Sequence, residues 1–248
     1  MLLKRIPVPA ILVAGLVLTL PACGSGSNGS STSGSPTSTS TTSKATPTVT
    51  ATTPAARKPL TKATLTKALL AQSDMPTGFV IDSSEPDEQD GISLTNSRCK
   101  QFAKLLNTKS APGSTATVSR IFTGGQSGPF VEEDLDALPS APAARALVEQ
   151  TAAAIRSCKQ AKLTLPGDGS SQVTISQVSI PKVGNARIGV RIVADGGDLD
   201  GFQVTFVMAA LGDVVLSMAF DNPTHIDGTV SVAARKATEV LDAAKADR

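Results

Sequence analysis

The residues of this sequence best suited to covalent chemistry are its three cysteines, Cys23, Cys99 and Cys158. A cysteine thiol can form a disulfide, bind a metal ion or act as a nucleophile. The sequence contains no C-x-x-C pair and no H-E-x-x-H motif, so the cysteines do not indicate a zinc site. The question is therefore which two cysteines form a pair and what the third one does.

The only histidine, His225, is the candidate general base. A Ser-His-acid triad requires this imidazole to meet a serine and a carboxylate in space. The G-x-S-x-G motif, which presents the serine in many hydrolases, is absent. His225 lies in "DNPTHIDG", directly before the last predicted helix, and this position favours a role in a loop or a helix cap.

The spacing S-x-x-K occurs twice, as Ser97 with Lys100 and as Ser179 with Lys182. In penicillin-recognising enzymes this spacing places a lysine one helical turn from a nucleophilic serine. No S-D-N or K-T-G motif follows here, and Pro181 interrupts the second match. We therefore predict no catalytic residues, and a hydrolase with an unrecognised site is the least favoured alternative.

Two acidic loops carry carboxylates that could loosely coordinate calcium: 84–90, "SEPDEQD", and 195–200, "DGGDLD". Neither loop has the EF-hand spacing, and exposed acidic turns are much commoner than calcium sites. The "PGDGSS" turn lacks the lysine and the helix of a phosphate-binding loop. The sequence therefore predicts neither a metal site nor a cofactor.

The first 22 residues have the pattern of a processed export signal. Lys4 and Arg5 form a basic start, and 10–20 is an apolar run too short to cross a bilayer as a mature helix. The run leads into Leu20-Pro21-Ala22-Cys23, which resembles the lipobox of bacterial lipoproteins. That resemblance implies cleavage before Cys23, a diacylglycerol on its sulfur, and a domain held at the extracytoplasmic face of the cell membrane. The alternative is an ordinary secretory signal with a chance cysteine.

Residues 23–59 are predicted to be a lipidated cysteine followed by a disordered linker. The part from Gly24 to Ala56 consists almost wholly of Ser, Thr, Gly, Pro and Ala. Such a composition buries too little apolar area to offset the entropy of ordering the chain. As a flexible coil this segment would have a root-mean-square span of roughly 30 Å, enough to hold a domain clear of a membrane.

The charge distribution argues against a nucleic-acid-binding protein. Five of the 23 basic residues precede position 60, namely Lys4, Arg5, Lys44, Arg57 and Lys58. Residues 60–248 therefore hold 18 basic residues against all 21 acidic ones, a formal net charge of −3. The chain also contains no Trp and no Tyr for stacking on bases. We expect no nucleic acid among its partners.

Residues 60–248 have the length and composition of one globular domain. Helical periodicity predicts helices at 65–72, 97–106, 140–158 and from about Thr229 onward. Alternation predicts a short extended segment at Val80 and strands at 115–122, 129–138, 173–180, 186–194, 202–210 and 214–220. The last three strands are joined by tight turns and should form an antiparallel meander. Helices flanking such a sheet make a single α+β domain.

The two inner cysteines, Cys99 and Cys158, lie on the apolar faces of two predicted helices. If both helices pack on one sheet, these faces point into the same core and the sulfurs can meet. An exported domain permits a stable disulfide, which we favour. The alternative is two separate buried thiols that behave as small apolar groups.

The order of elements resembles the extracellular sensor domain of PknH-type receptor kinases, which also occurs in actinobacterial lipoproteins. The resemblance rests on the segments "LLAQSDMPTGF", "SRCKQF", "AAIRSC", "IPKVGNARIG" and "LGDVVLSM" and on the C-terminal helix. It implies one α+β domain with a cleft on the sheet that receives an extracellular ligand. It identifies no ligand-binding residues.

Two functions from different classes remain open beside the hydrolase. The favoured one is a lipid-anchored domain that binds an unknown small molecule or envelope protein and performs no chemistry. Val204, Phe206 and Met208 are its candidate cleft residues, and the alternative is that these three belong to the core. The other is an envelope carrier of a lipid or another apolar molecule. A carrier requires a continuous apolar cavity of several hundred cubic ångströms, and this requirement distinguishes the two.

Replacement of Cys23 by Ser tests the lipid anchor. Because serine has no thiol to receive a diacylglycerol, the variant should leave the membrane fraction or remain an uncut precursor, as cell fractionation and immunoblotting would show. Cys99→Ser is the matched control and should stay in the membrane fraction. A Cys23→Ser protein that is cleanly cleaved and still membrane-bound would contradict the anchor.

Overall fold

The described part of the chain contains nine β-strands in one sheet and four α-helices that pack on it. The computed structural model describes residues 59–83, 91–125 and 128–246. The helices are α1 (Lys62–Ala68), α2 (Lys100–Leu106), α3 (Ala141–Ser157) and α4 (Ile226–Ala246). The strands are β1 (Val80–Asp82), β2 (Ser93–Thr95), β3 (Ala116–Thr123), β4 (Phe130–Ala137), β5 (Gln160–Leu165), β6 (Gly169–Val178), β7 (Arg187–Asp195), β8 (Gln203–Leu211) and β9 (Val214–Phe220). The predicted α+β class is confirmed.

The sheet has the order β1-β3-β4-β9-β8-β7-β6-β5-β2, and every neighbouring pair is antiparallel. The predicted meander is confirmed, because β7, β8 and β9 are consecutive neighbours. The long-range pairing of β4 with β9, in register Leu135 to Leu216, joins the β3–β4 hairpin to the meander. This one pairing makes a single sheet out of two hairpin systems.

One face of the sheet is covered by α1 and α4 over one half of the strands, and the other face is covered by α3 over the other half. Helices α1 and α4 pack on β3, β4, β9 and β8, over residues such as Leu135, Ala209 and Leu216. Helix α3 packs on the opposite side of β8 and β9, over Ala210 and Val215, and continues over β7 and β6. We name these the α4 face and the α3 face. The central strands β8 and β9 are thus buried on both faces, whereas the outer strands are covered on one.

Helix α3 begins and packs as its sequence predicts. The Ser140 hydroxyl accepts a hydrogen bond from the backbone N–H of Ala143 at 3.3 Å, which satisfies one of the free donors of the first turn. The buried residues of the helix are Ala144, Leu147, Val148, Thr151, Ala154 and Ile155. They recur at intervals of three and four, so one face of the helix is apolar.

A disulfide joins Cys99 and Cys158, as the sequence predicts, with a Cα–Cα distance of 4.7 Å. Cys99 ends the 3-10 turn before α2, and Cys158 directly follows α3. Both residues are fully buried in the core that Phe102, Ile155 and Leu163 share beneath these helices. The bridge therefore fixes α2 against the end of α3.

The bounds of α1, α2 and α4 differ from the predictions, and two short strands, β2 and β5, were missed. Helix α2 begins at Lys100, after a 3-10 turn at Ser97–Cys99. Helix α1 was expected at 65–72 but begins after Thr61, whose hydroxyl accepts the N–H of Thr64, and ends at Ala68. Helix α4 begins at Ile226, three residues earlier than expected. Strand β5 has no sequence prediction, because its short run of alternation merges into a Pro-Gly turn.

Several predicted features lie outside the described residues. They are the export signal 1–22, the anchor residue Cys23 and the linker up to 58. The first acidic loop, 84–90, also lies outside them.

Loss of the disulfide should destabilise the domain substantially. The bridge spans a sequence separation of 59 residues. The loop-entropy model assigns a bridge of that span roughly 4 kcal/mol of the free energy of unfolding, which Cys99→Ala/Cys158→Ala should lose in denaturant titrations. Denatured wild-type protein should take up an alkylating reagent on these thiols only after reduction. Full alkylation of both thiols without reductant would contradict the bridge.

Candidate functional site

An open cleft of about 360 Å³ lies on the α4 face, where α4 begins and its cover of the sheet ends. We name it the Arg191 cleft. Its polar lining residues are Ser179, Arg191, Thr205, His225 and Asp227. These side chains come from the end of β6, from β7, from β8 and from the first turn of α4, so the cleft forms only when the sheet and α4 are assembled.

Arg191 and Thr205 form the floor of the Arg191 cleft. They face each other across β7 and β8, and the Arg191 Nε–H donates a hydrogen bond to Thr205 Oγ1 at 3.2 Å. Thr205 is buried and Arg191 is half-buried. Within the described residues no ion pair joins Arg191 to a carboxylate. The guanidinium therefore keeps donors that can meet a ligand.

The chain after β6 forms one wall of the cleft by crossing closely over β7. The crossing point is Gly189, where an added Cβ would lie 2.5 Å from Ile180 Cγ2 and 2.9 Å from the carbonyl oxygen of Val178. Only a residue without a side chain permits this approach. Ser179, between these two contacts, is thereby held at the cleft.

His225 separates the Arg191 cleft from a second cleft of about 290 Å³. The second cleft, which we name the Phe79 cleft, is lined by Pro76, Thr77, Phe79, Pro129, Asn222 and His225. His225 has a φ of 70°, and its carbonyl oxygen accepts the N–H of Thr229 at 3.0 Å, the first hydrogen bond of α4. The predicted capping position of His225 is therefore confirmed, and its imidazole is exposed between the clefts.

The structure brings only one residue of the S-x-x-K pairs to a cleft. Ser179 lines the Arg191 cleft, whereas Lys182 is an exposed residue of the following loop. Ser97 and Lys100 are exposed around the turn that contains Cys99 and line neither of the clefts that His225 lines. In the part of the chain described, no hydrogen bond joins the His225 imidazole to a hydroxyl or a carboxylate.

The acidic turn 195–200 uses its carboxylates to hold its own backbone. Asp198 accepts the N–H of Ser170 at 2.9 Å, and Asp200 accepts the N–H of Gly196 at 3.2 Å. Among residues 59–83, 91–125 and 128–246, no group of three or more His, Cys, Asp or Glu side chains could hold a metal ion. Over the same residues, no helix has both the length and the apolarity needed to cross a bilayer.

The candidate cleft residues Val204, Phe206 and Met208 line neither of these two clefts. They point to the α3 face and pack, half-buried, against the cores beneath α2 and α3. The residue of β8 that lines a cleft is Thr205, which has the opposite parity. The alternation of polar Arg191 with apolar Ile192 in the sequence indicates that Arg191 lies on the less apolar face of its strand. No local pattern indicates that α4 begins beside Arg191.

The fold and the cleft define a disulfide-linked α+β domain with an open polar cleft beside a helix start. The family model for the PknH-like extracellular domain matches residues 60–244. The chain therefore belongs to the PknH-like extracellular domain family, and this domain is of the sensor type.

One solved structure shows the same fold at low sequence identity. The extracellular domain of PknH from Mycobacterium tuberculosis is similar, with 20% identity and a TM-score of 0.52, over 75% of this chain and 98% of that one. An uncharacterised protein from Mycobacterium smegmatis matches at 12% identity and a TM-score of 0.38, over 70% and 92% of the two chains. No curated protein matches the sequence.

Gly189, at the crossing beside the Arg191 cleft, and Gly228, which lines that cleft, should respond differently to replacement by alanine. Gly189→Ala places a methyl group against Ile180 and should lower the free energy of unfolding by about 1–3 kcal/mol. Gly228, in the first turn of α4, has no atom within 4 Å of an added Cβ, so Gly228→Ala should be neutral or stabilise by up to about 1 kcal/mol. Denaturant titrations measure both. Equal stabilities would contradict the close crossing.

Proposed function

We propose that this protein is a lipid-anchored envelope lipoprotein whose sensor-type domain binds a small polar ligand in the Arg191 cleft and performs no catalysis. Residues 1–22 are the signal peptide, and Cys23 is the lipid anchor at the head of a 23–59 linker. Residues 60–248 are the extracytoplasmic domain. Membership of the PknH-like extracellular domain family supports an extracytoplasmic position.

The observation that carries ligand binding is the position of the Arg191 guanidinium. A charged side chain on a half-buried floor, beside the Thr205 and Ser179 hydroxyls, can orient a ligand that presents hydrogen-bond acceptors. A cleft of about 360 Å³ has the size of small-molecule sites. The ligand is therefore proposed to be small, polar and an acceptor of hydrogen bonds from Arg191.

The absence of catalysis is proposed from the surroundings of His225. Its imidazole is exposed, and its backbone serves as the start of α4. A general base in a serine hydrolase requires a hydrogen bond to its serine and another to an orienting carboxylate. Neither is made within the described residues.

The second candidate function is the transport of an apolar molecule. The third is the binding of an envelope protein at the same cleft. An apolar cargo requires a continuous apolar cavity. Both described clefts are open and have charged or polar lining residues, including Arg191 and Asn222. This lining favours a polar ligand over an apolar cargo.

Native mass spectrometry of the full chain, purified from its own host in mild detergent, tests the proposal. We expect wild-type protein to retain a small polar molecule as a discrete added mass. Arg191→Gln removes the guanidinium charge and should reduce the occupied fraction at least about tenfold, the effect of a lost charge-assisted hydrogen bond.

Lys182→Gln is the matched control for that experiment. It removes the same charge from an exposed loop residue near the cleft and should leave occupancy unchanged. Equal loss in both variants, or equal retention in both, would contradict a site at Arg191. A retained mass identified as a lipid would favour the carrier instead.

A further inference from the structure

Glu133 of β4 is a carboxylic acid buried inside an apolar core. Its side chain points to the α4 face and is 0% exposed, and its strand neighbours Val131 and Leu135 on that face belong to the core beneath α1 and α4. Glu133 Oε2 accepts a hydrogen bond from the backbone N–H of Leu70 at 2.7 Å. Glu133 Oε1 is buried and has no hydrogen-bond partner within the described residues.

The Leu70 N–H that meets Glu133 belongs to the turn that ends α1. In this turn, Leu70–Asp74, the Leu70 carbonyl accepts a hydrogen bond from Arg120 Nη1 of β3. The Ala71 N–H donates to Asp74 Oδ2 at 2.7 Å, and Lys236 Nζ of α4 lies 2.6 Å from the same oxygen. Ionisable side chains from β3, β4 and α4 thus hold one five-residue turn.

The surroundings of Glu133 have opposing effects on the pKa of its carboxyl group. Burial raises the pKa of Glu133 to about 7, while the Leu70 N–H and the positive charges of Arg120 and Lys236 act against that rise and Asp134 adds to it. Asp74 is tied to Lys236, and the hydrogen bond from that lysine lowers the pKa of Asp74. The α1 lysines, Lys62 and Lys67, are exposed.

The Leu70–Asp74 turn continues directly into a cleft wall. Pro76, Thr77, Gly78 and Phe79 line the Phe79 cleft, which shares His225 with the Arg191 cleft. Met75, between the turn and this wall, is buried in the core beneath α4. A change in how the turn is held therefore reaches the cleft wall through very few residues.

We propose that Glu133 is a proton-controlled latch on the Leu70–Asp74 turn. With a neutral carboxyl group the turn stays closed against the sheet. With an ionised carboxylate the turn loosens, because opening lets water reach the charge, and the wall formed by 76–79 moves with it. The latch does not depend on ligand binding at Arg191.

The direction of the pH effect follows from the linkage between proton binding by Glu133 and closure of the turn. The carboxyl group of an opened, hydrated turn ionises near the ordinary pKa of 4.5, whereas the closed turn holds its proton until a pKa of about 7. As pH rises from 4.5 to 7 the opened form loses its proton first, so closure weakens across that interval. Above pH 7 both forms are ionised and the loss levels off.

Hydrogen–deuterium exchange of residues 70–79 in the full chain, at pH 5.5 and pH 8.5 and corrected for intrinsic rates, tests the latch. The two pKa values predict an opening equilibrium up to about thirtyfold larger at the higher pH. Glu133→Gln keeps an acceptor for the Leu70 N–H and cannot ionise, so this variant should show no such increase.

Asp134→Asn is the matched control. The pKa of Asp134 is also raised to about 7, chiefly by burial and in addition by the negative charge of Glu132. Asp134, however, lies on the face of β4 opposite to Glu133. This variant should keep the pH-dependent opening. An unchanged pH response in Glu133→Gln, or its loss in Asp134→Asn, would overturn the proposal.

A second measurement does not depend on the folding of either variant. A carboxyl-carbon NMR titration of wild-type Glu133 should have a midpoint near pH 7, in step with the Leu70 amide shift. A midpoint near 4.5, or a Leu70 amide that does not follow the titration, would also overturn the latch.

Discussion

The burial of β8 and β9 on both faces is the constraint on which the rest of this structure depends. Residues of one parity on these strands, such as Ala209 and Leu216, meet α4, and residues of the other parity, such as Ala210 and Val215, meet α3. A strand with helices on both sides must be apolar at nearly every position, and β9 is. Each helix also extends over a different half of the sheet. The outer strands therefore keep one open face each.

The clefts arise where this helical cover stops. Along β8 the residues on the α4 face are apolar at Ala209 and Val207 and become polar at Thr205, near the start of α4. Arg191 of β7 lies beside Thr205 on the same face. The disulfide lies beneath α2 and α3, over the half of the sheet that α4 does not cover. The chain thus stabilises one half of the sheet covalently and places its polar cleft at the border between the halves.

The buried acid at Glu133 shows how tertiary packing overrides local preference. The sequence from Leu65 to Gln72 has good helix-forming residues, and a longer first helix is the natural local expectation. The structure ends α1 at Ala68, and the Leu70 N–H donates to Glu133 of β4 instead of continuing the helix. The partner of that N–H is 63 residues away, so no local pattern could indicate it.

By itself the sequence determined the local elements, because side-chain alternation and helical periodicity are properties of neighbouring residues. It indicated α3 with its Ser140 cap, the β7–β9 meander and the pairing of Cys99 with Cys158. Tertiary structure alone decided that β4 lies beside β9, which face of β8 lines a cleft, and that Arg191 sits beside the start of α4. Those outcomes depend on which distant strands pair and where a helix begins over them. Such contacts form between segments far apart in the chain, and neither propensity nor periodicity carries that information.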